Sequence, residues 1–345
     1  MSMDDSLLEK AVPLVLRAID ALQSIQRYLH PALLGKLVDK SLELEAAIVE
    51  LRNAIAQEAD REPDSPLAAI HRATHLTARA LNDLKTAPSS PDGIFLAYKA
   101  LRYLPWAMEN IYSLTQHNEV VNEFFGGPID TEDPNVDSGV FHFDNERGTK
   151  GGYSLFVPET LEQGQSAPIL FALHGGAGHG RGFLWTWLKD ARSRQIVLVS
   201  PTSRGDTWSL MDPMVDIENL DRILETIAQR WPISEDKRLL SGMSDGGTFT
   251  YLAGLRADSP FTHLAPISAT FHPMLIEMVS PLKAQARDLF ITHGVHDWMF
   301  PVDSARVAEE TLVGLGANVR YDEVSDLAHT YPREKNVEIL DWFLA

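Results

Sequence analysis

Cysteine is absent from this chain of 345 residues, which removes disulfides, thiolate metal sites and a cysteine nucleophile together. Basic charge is scarce: 30 Lys and Arg stand against 48 Asp and Glu, a formal net charge of −18. No local basic patch offsets that surplus, so nucleic acid and anionic membrane surfaces are repelled as partners. Long apolar runs are missing too. None approaches the roughly 20 residues that span a bilayer, and no membrane insertion is expected. The first apolar residues are interrupted by Glu9, Lys10, Arg17 and Asp20, and no basic stretch precedes them, unlike a signal peptide. A soluble, cytoplasmic protein is the expectation. Among the remaining residues, 44% hydrophobic and 23% charged is the make-up of a globular chain with a large core.

The hydrophobic period divides the chain. From about Ser6 to Phe125 apolar residues recur at i, i+3 and i+4, and Asp64-Ser-Pro and Ser89-Ser-Pro interrupt them. This spacing predicts an all-α bundle over 1–125, in four segments: Leu7 to Ile25, Pro31 to Leu51, Leu67 to Leu81 and Ile94 to Ile111. The last is rich in aromatics (Tyr98, Tyr103, Trp106, Tyr112), a feature of plain core, of a pocket cap or of a homo-oligomer contact. Residues 126–150 read as a linker, opened by Gly126-Gly-Pro, with a first strand. Over 151–345 short buried strands alternate with helical runs, which predicts a mostly parallel sheet of about eight strands with helices on both faces.

Chemistry gathers around Gly242-Met-Ser244-Asp-Gly246, set between a short apolar run and a helical one. A G-x-S-x-G between strand and helix is a nucleophile elbow: the glycines allow a turn so tight that the serine hydroxyl projects from the sheet edge. The motif alone equally describes a Ser/Gly helix cap. An elbow serine needs a base and an acid, in the chain order Ser, Asp/Glu, His. Asp297 and His329 follow the next predicted strands in that order, with His293, His296, Asp303 and Asp326 as weaker competitors. An oxyanion needs two backbone N–H groups. Asp245 opens the helix, and His174-Gly-Gly-Ala-Gly-His-Gly supplies a glycine-rich strand-end loop, from which Gly176 is assigned and Ala177 comes next.

Taken together, Leu173-His-Gly-Gly, Asp216-Ile-Glu-Asn-Leu-Asp-Arg, Ser241-Gly-Met-Ser-Asp-Gly-Gly, His293-Gly-Val-His-Asp and Ala328-His-Thr-Tyr-Pro resemble an α/β-hydrolase-fold serine esterase, most like the polyhydroxybutyrate depolymerase, feruloyl esterase and phospholipase/carboxylesterase group. The resemblance begins near Gly151 and leaves the helical segment unexplained. It implies an acyl-enzyme mechanism on a carboxylic ester. An amidase, peptidase or thioesterase would use the same three residues, and a non-catalytic scaffold the same fold. The chain departs from the secreted depolymerases in lacking cysteine, where they usually carry one in the oxyanion loop.

Strand-end residues Ala177, Trp185, Trp208, Met211, His272, Trp298 and Met299 are candidates for an apolar or aromatic substrate pocket. His-x-x-x-His spacing and glutamate clusters do not come together as a metal-binding set, so neither a metal nor a cofactor is expected.

Overall fold

A computed structural model describes residues 3–39, 41–59, 62–127, 137–161, 166–271 and 287–345. The chain forms two compact units, Met1–Pro128 and Ile129–Ala345.

The first unit is all-α. Its helices are α1 (Met3–Arg27), α2 (Leu34–Asp39), α3 (Leu42–Ala59), α4 (Pro66–Thr86), α5 (Gly93–Leu101), α6 (Tyr103–Tyr112) and α7 (Glu119–Phe124). Helix α4 lies at the centre, packed on α1, α3, α5 and α6. Its buried residues include Leu67, Ile70, Ala73, Leu81 and Leu84, and those of α1 include Val12, Ile19 and Leu22. Each large aliphatic side chain buried there contributes roughly 1.5–3 kcal/mol. The Ser-Pro break works as a start signal: the Ser65 hydroxyl accepts the Ala68 N–H at 3.2 Å, and Pro66 needs no N–H in the first turn. Two predicted segments each divide in the structure. The one from Pro31 becomes a 3-10 turn, α2 and α3, and the fourth becomes α5 and α6. Pro105 explains the second break, since it offers no N–H to the Leu101 carbonyl and its ring crowds that group.

The second unit is built on one eight-stranded sheet in the order β1-β2-β4-β3-β5-β6-β7-β8. The strands are β1 (Gly139–Phe143), β2 (Tyr153–Val157), β3 (Ala167–Leu173), β4 (Val197–Pro201), β5 (Ile233–Met243), β6 (His263–Ile267), β7 (Asp288–Gly294) and β8 (Asn318–Val324). β2 pairs antiparallel with β1 and with β4, and every other pairing is parallel. The flanking helices are α8 (Gly180–Ser193), α9 (Met214–Ala228), α10 (Asp245–Gly254), α11 (Asp303–Gly314) and α12 (Asn336–Leu344). A helix expected near Met274 to Ala286 falls outside the described residues. Ile169, Phe171, Val199, Leu240 and Leu264 of the inner strands are fully buried, as parallel strands covered on both faces require. No described helix is long and apolar enough to cross a membrane.

This topology places the ends of β3, β4, β5, β6, β7 and β8 along one edge, and the loops that leave that edge carry the chemistry-bearing residues.

Candidate active site

Strand β5 is hydrogen-bonded on both sides, to β3 and β6, and ends at Met243. Ser244 then takes φ 57° and ψ −121°, a region that residues with a Cβ rarely occupy. Two bonds fix it there: the Ser244 N–H donates to Ile267 O at 3.0 Å, and its carbonyl accepts the Thr248 N–H at 2.9 Å, starting α10. The flanking glycines are required by space. A Cβ on Gly242 would lie 2.4 Å from the Gly246 carbonyl group, and one on Gly246 would lie 2.6 Å from Leu173 O. Such a backbone costs about 1–3 kcal/mol and persists because its surroundings over-determine it.

The loop after β7 carries Asp297 and the loop after β8 carries His329. Val295 N–H donates to Val324 O and His296 N–H to Leu327 O, both at 2.9 Å, so the two loops are laced together. Asp297 has no exposed side-chain surface. Its Oδ1 accepts the Met299 and Phe300 N–H groups at 3.0 and 2.7 Å, and its Oδ2 lies 2.8 Å from His329 Nδ1. On its other side, His329 Nε2 is 2.9 Å from Ser244 Oγ. A carboxylate only accepts, so Nδ1 carries the ring proton and the Nε2 lone pair faces the serine hydroxyl. All three side chains are buried, and the Phe300 and His329 rings meet edge to face with centroids 5.0 Å apart. This arrangement can take a proton from Ser244 and hold the resulting imidazolium.

Of the competing residues, His293 is buried with Nε2 2.9 Å from Phe300 O, and His296 is exposed. Asp303 lies in the first turn of α11, paired with Arg306 at 2.8 Å. Asp326 is exposed.

The glycine-rich loop lies beside the serine. A Cβ on Gly176 would fall 2.8 Å from Asp245 Oδ2. The Asp245 N–H begins α10 and has no acceptor within its helix, and the Gly176 N–H has no hydrogen-bond partner among the described residues. Ala177 differs from Gly176: at φ 51° it donates its N–H to Asp206 O at 3.2 Å, which removes that group as an oxyanion donor. His174 orders the loop. Its Nδ1–H donates to Gly175 O at 2.7 Å and its Nε2 accepts the Ser203 N–H at 3.1 Å. Burial pushes this imidazole down from the usual range to about 4. His179 is a half-buried cap of α8 that accepts the Arg181 N–H at 3.2 Å.

The pocket candidates separate. Met211, Trp298 and Met299 are exposed, and the latter two adjoin the acid. Ala177 is exposed on the glycine-rich loop. Trp185 and Trp208 are buried, at 2% and 1% exposure. Trp208 stacks on Phe249 and its indole N–H donates to His174 O at 2.7 Å, so it supports the loop from behind. His272 lies outside the described residues.

Two residues to which the sequence alone assigns no role stand out. The carboxylate of fully buried Asp216, in α9, accepts the Arg204 N–H at 2.8 Å and the Ser209 N–H at 2.9 Å. Thr207, between those two, donates its hydroxyl to Asp245 Oδ2 at 2.5 Å. An acidic residue opening a helix next to a turn was the available signal for Asp216, and nothing local marks Thr207.

No family model and no curated protein matches the chain. Among solved structures, it is similar to a ferulic acid esterase at 15% identity and TM-score 0.50, over 61% of this chain and 98% of that one. A bifunctional GH43-CE protein of Bacteroides eggerthii aligns at 13% identity and TM-score 0.51, over 61% of this chain and 35% of that one. A thermostable esterase aligns at 19% identity and TM-score 0.47, over 59% of this chain, which spans 62% of that esterase's length. With its strand order and the loops that carry serine, acid and histidine, this chain has the α/β-hydrolase fold, preceded by a helical unit.

Proposed function

We propose that the protein is a serine carboxylic ester hydrolase. The supporting observation is the bonded series Ser244 Oγ, His329 Nε2, His329 Nδ1, Asp297 Oδ2, with contacts of 2.9 and 2.8 Å, set on a strained strand-to-helix turn. In this reading Ser244 Oγ bonds to the ester carbonyl carbon as its proton passes to His329 Nε2. The carbonyl oxygen, now an oxyanion, is held by the N–H groups of Gly176 and Asp245. Collapse breaks the carbon–alkoxy bond, and the departing oxygen takes the proton from His329. Water then gives a proton to the same nitrogen as its oxygen bonds to the acyl carbon, and collapse breaks the bond from that carbon to Ser244 Oγ, which takes the proton back from His329 as the acid leaves.

Exposed Trp298 and Met299 beside the acid favour a small to medium ester with an apolar or aromatic group. The test is hydrolysis of short p-nitrophenyl esters together with labelling by a fluorophosphonate probe. Turnover and one adduct on Ser244 are expected, both lost in Ser244→Ala with the fold intact. An unlabelled, inert wild-type protein would overturn the assignment. Matched ester, thioester and amide substrates then rank the acyl groups the site accepts, with the ester expected to be fastest.

A further inference from the structure

The two residues assigned as oxyanion donors, Gly176 in the glycine-rich loop and Asp245 at the start of α10, lie 69 positions apart in sequence (176 and 245), and the loop after β4 touches the carriers of both. Segment Ser203–Ser209, after β4, makes four bonds of this kind. Ser203 N–H reaches His174 Nε2 at 3.1 Å, Asp206 O accepts the Ala177 N–H at 3.2 Å, and the Trp208 indole reaches His174 O at 2.7 Å. These three hold the chain on either side of Gly176. The fourth runs the other way: Thr207 Oγ1–H donates to Asp245 Oδ2 at 2.5 Å. The carboxylate that receives it is the group a Cβ on Gly176 would strike, so it stands as a spacer between α10 and the glycine-rich loop. Asp216 pins the segment at Arg204 and Ser209 and keeps its shape from depending on solvent-exposed contacts.

We infer that Thr207 is a positioning residue for the oxyanion hole: by orienting the Asp245 carboxylate it sets the separation of the Gly176 and Asp245 N–H groups. The inference rests on the esterase reading above. Preorganised donors stabilise charge only where it develops in the transition state, so a misplaced donor lowers turnover more than binding.

The experiment compares wild type, Thr207→Val and Thr207→Ser in the full-length protein. Valine keeps the shape and removes the hydroxyl, and serine restores it. Thr207→Val should lower kcat roughly 10- to 100-fold, with KM changed less than about threefold, and Thr207→Ser should recover most of the loss. Wild-type kcat in Thr207→Val, a loss confined to KM, or no recovery with serine each overturns the positioning role while leaving the esterase standing. Absence of turnover and of fluorophosphonate labelling in wild type overturns the esterase reading, and this inference with it. If Thr207→Val does not fold, Asp245→Ala carries the test: it removes the carboxylate that Thr207 orients and keeps the backbone N–H, so it should lower kcat in the same way, and an unchanged kcat overturns the inference.

Discussion

His293 holds its Nε2 3.5 Å from the Asp297 carboxylate but 2.9 Å from the carbonyl of Phe300. A carbonyl only accepts, so that nitrogen bears a proton, and burial pushes the ring below its usual imidazole range and keeps it neutral. Two histidines therefore flank one carboxylate with different tasks. His329 makes the short bond and faces the serine. His293 ties down Phe300, whose ring makes a T-shaped contact with His329 and whose N–H is one of the bonds to Asp297.

Replacing the acid should separate chemistry from folding. In Asp297→Asn the carbonyl oxygen can still accept from Met299 and Phe300, while the amide NH2 faces His329 Nδ1 and favours the tautomer with its proton on Nε2. That tautomer cannot take the serine proton. We expect kcat to fall roughly 10³- to 10⁴-fold with an unchanged circular dichroism spectrum. A loss of less than about tenfold would contradict the role given to Asp297.

Gly176→Ala should impair turnover without unfolding the protein. The new methyl would meet Asp245 Oδ2 at 2.8 Å, and that oxygen is already held by Thr207. The loop or the carboxylate must shift, and a drop in kcat of roughly 10- to 100-fold is expected. Because Gly176 is exposed, the melting temperature should move by no more than a few degrees. Wild-type kinetics in this variant would show that Gly176 is not an oxyanion donor.

Acid should weaken the fold through its buried histidines. Burial holds His174 at about 4 in the folded protein, below the 6.5 of an unfolded chain. Well above 6.5 neither state binds the proton. Between 6.5 and 4 the unfolded chain takes up a proton that the folded one refuses, so stability falls with pH, by roughly 3 kcal/mol at pH 4 from this residue alone. His179, His263 and His293 are lowered by burial and act in the same direction. Urea midpoints should therefore decline from pH 7.5 to 4.5, with a shallower slope in His174→Gln. Equal slopes in the two proteins would refute the assignment to His174.

The alternation of strands and helices could be read from the sequence because inner strands such as β3 and β4 are short apolar runs and the helices repeat near every third or fourth residue. Ser244, Asp297 and His329 could be singled out as candidates because each follows a predicted strand. What could not be read depends on contacts between distant loops. Trp208 sits at a strand end, as pocket residues do, and only its bond to His174 O, 34 positions away, shows that it faces inward. Thr207 meets Asp245 across 38 positions, and no local pattern encodes that pairing. The division of α5 from α6 was within reach, since Pro105 is a local signal.

The left-handed backbone at Ser244 sets activity against stability at a single residue. Its conformation costs about 1–3 kcal/mol, more than the roughly 0.5–1 kcal/mol that a glycine adds to the entropy of the unfolded chain. Ser244→Gly would therefore yield an inert protein at least as hard to unfold as its parent. In the esterase reading, the residue that reacts is also one the fold would be better off without, and a sequence change that relaxes this turn leads away from catalysis.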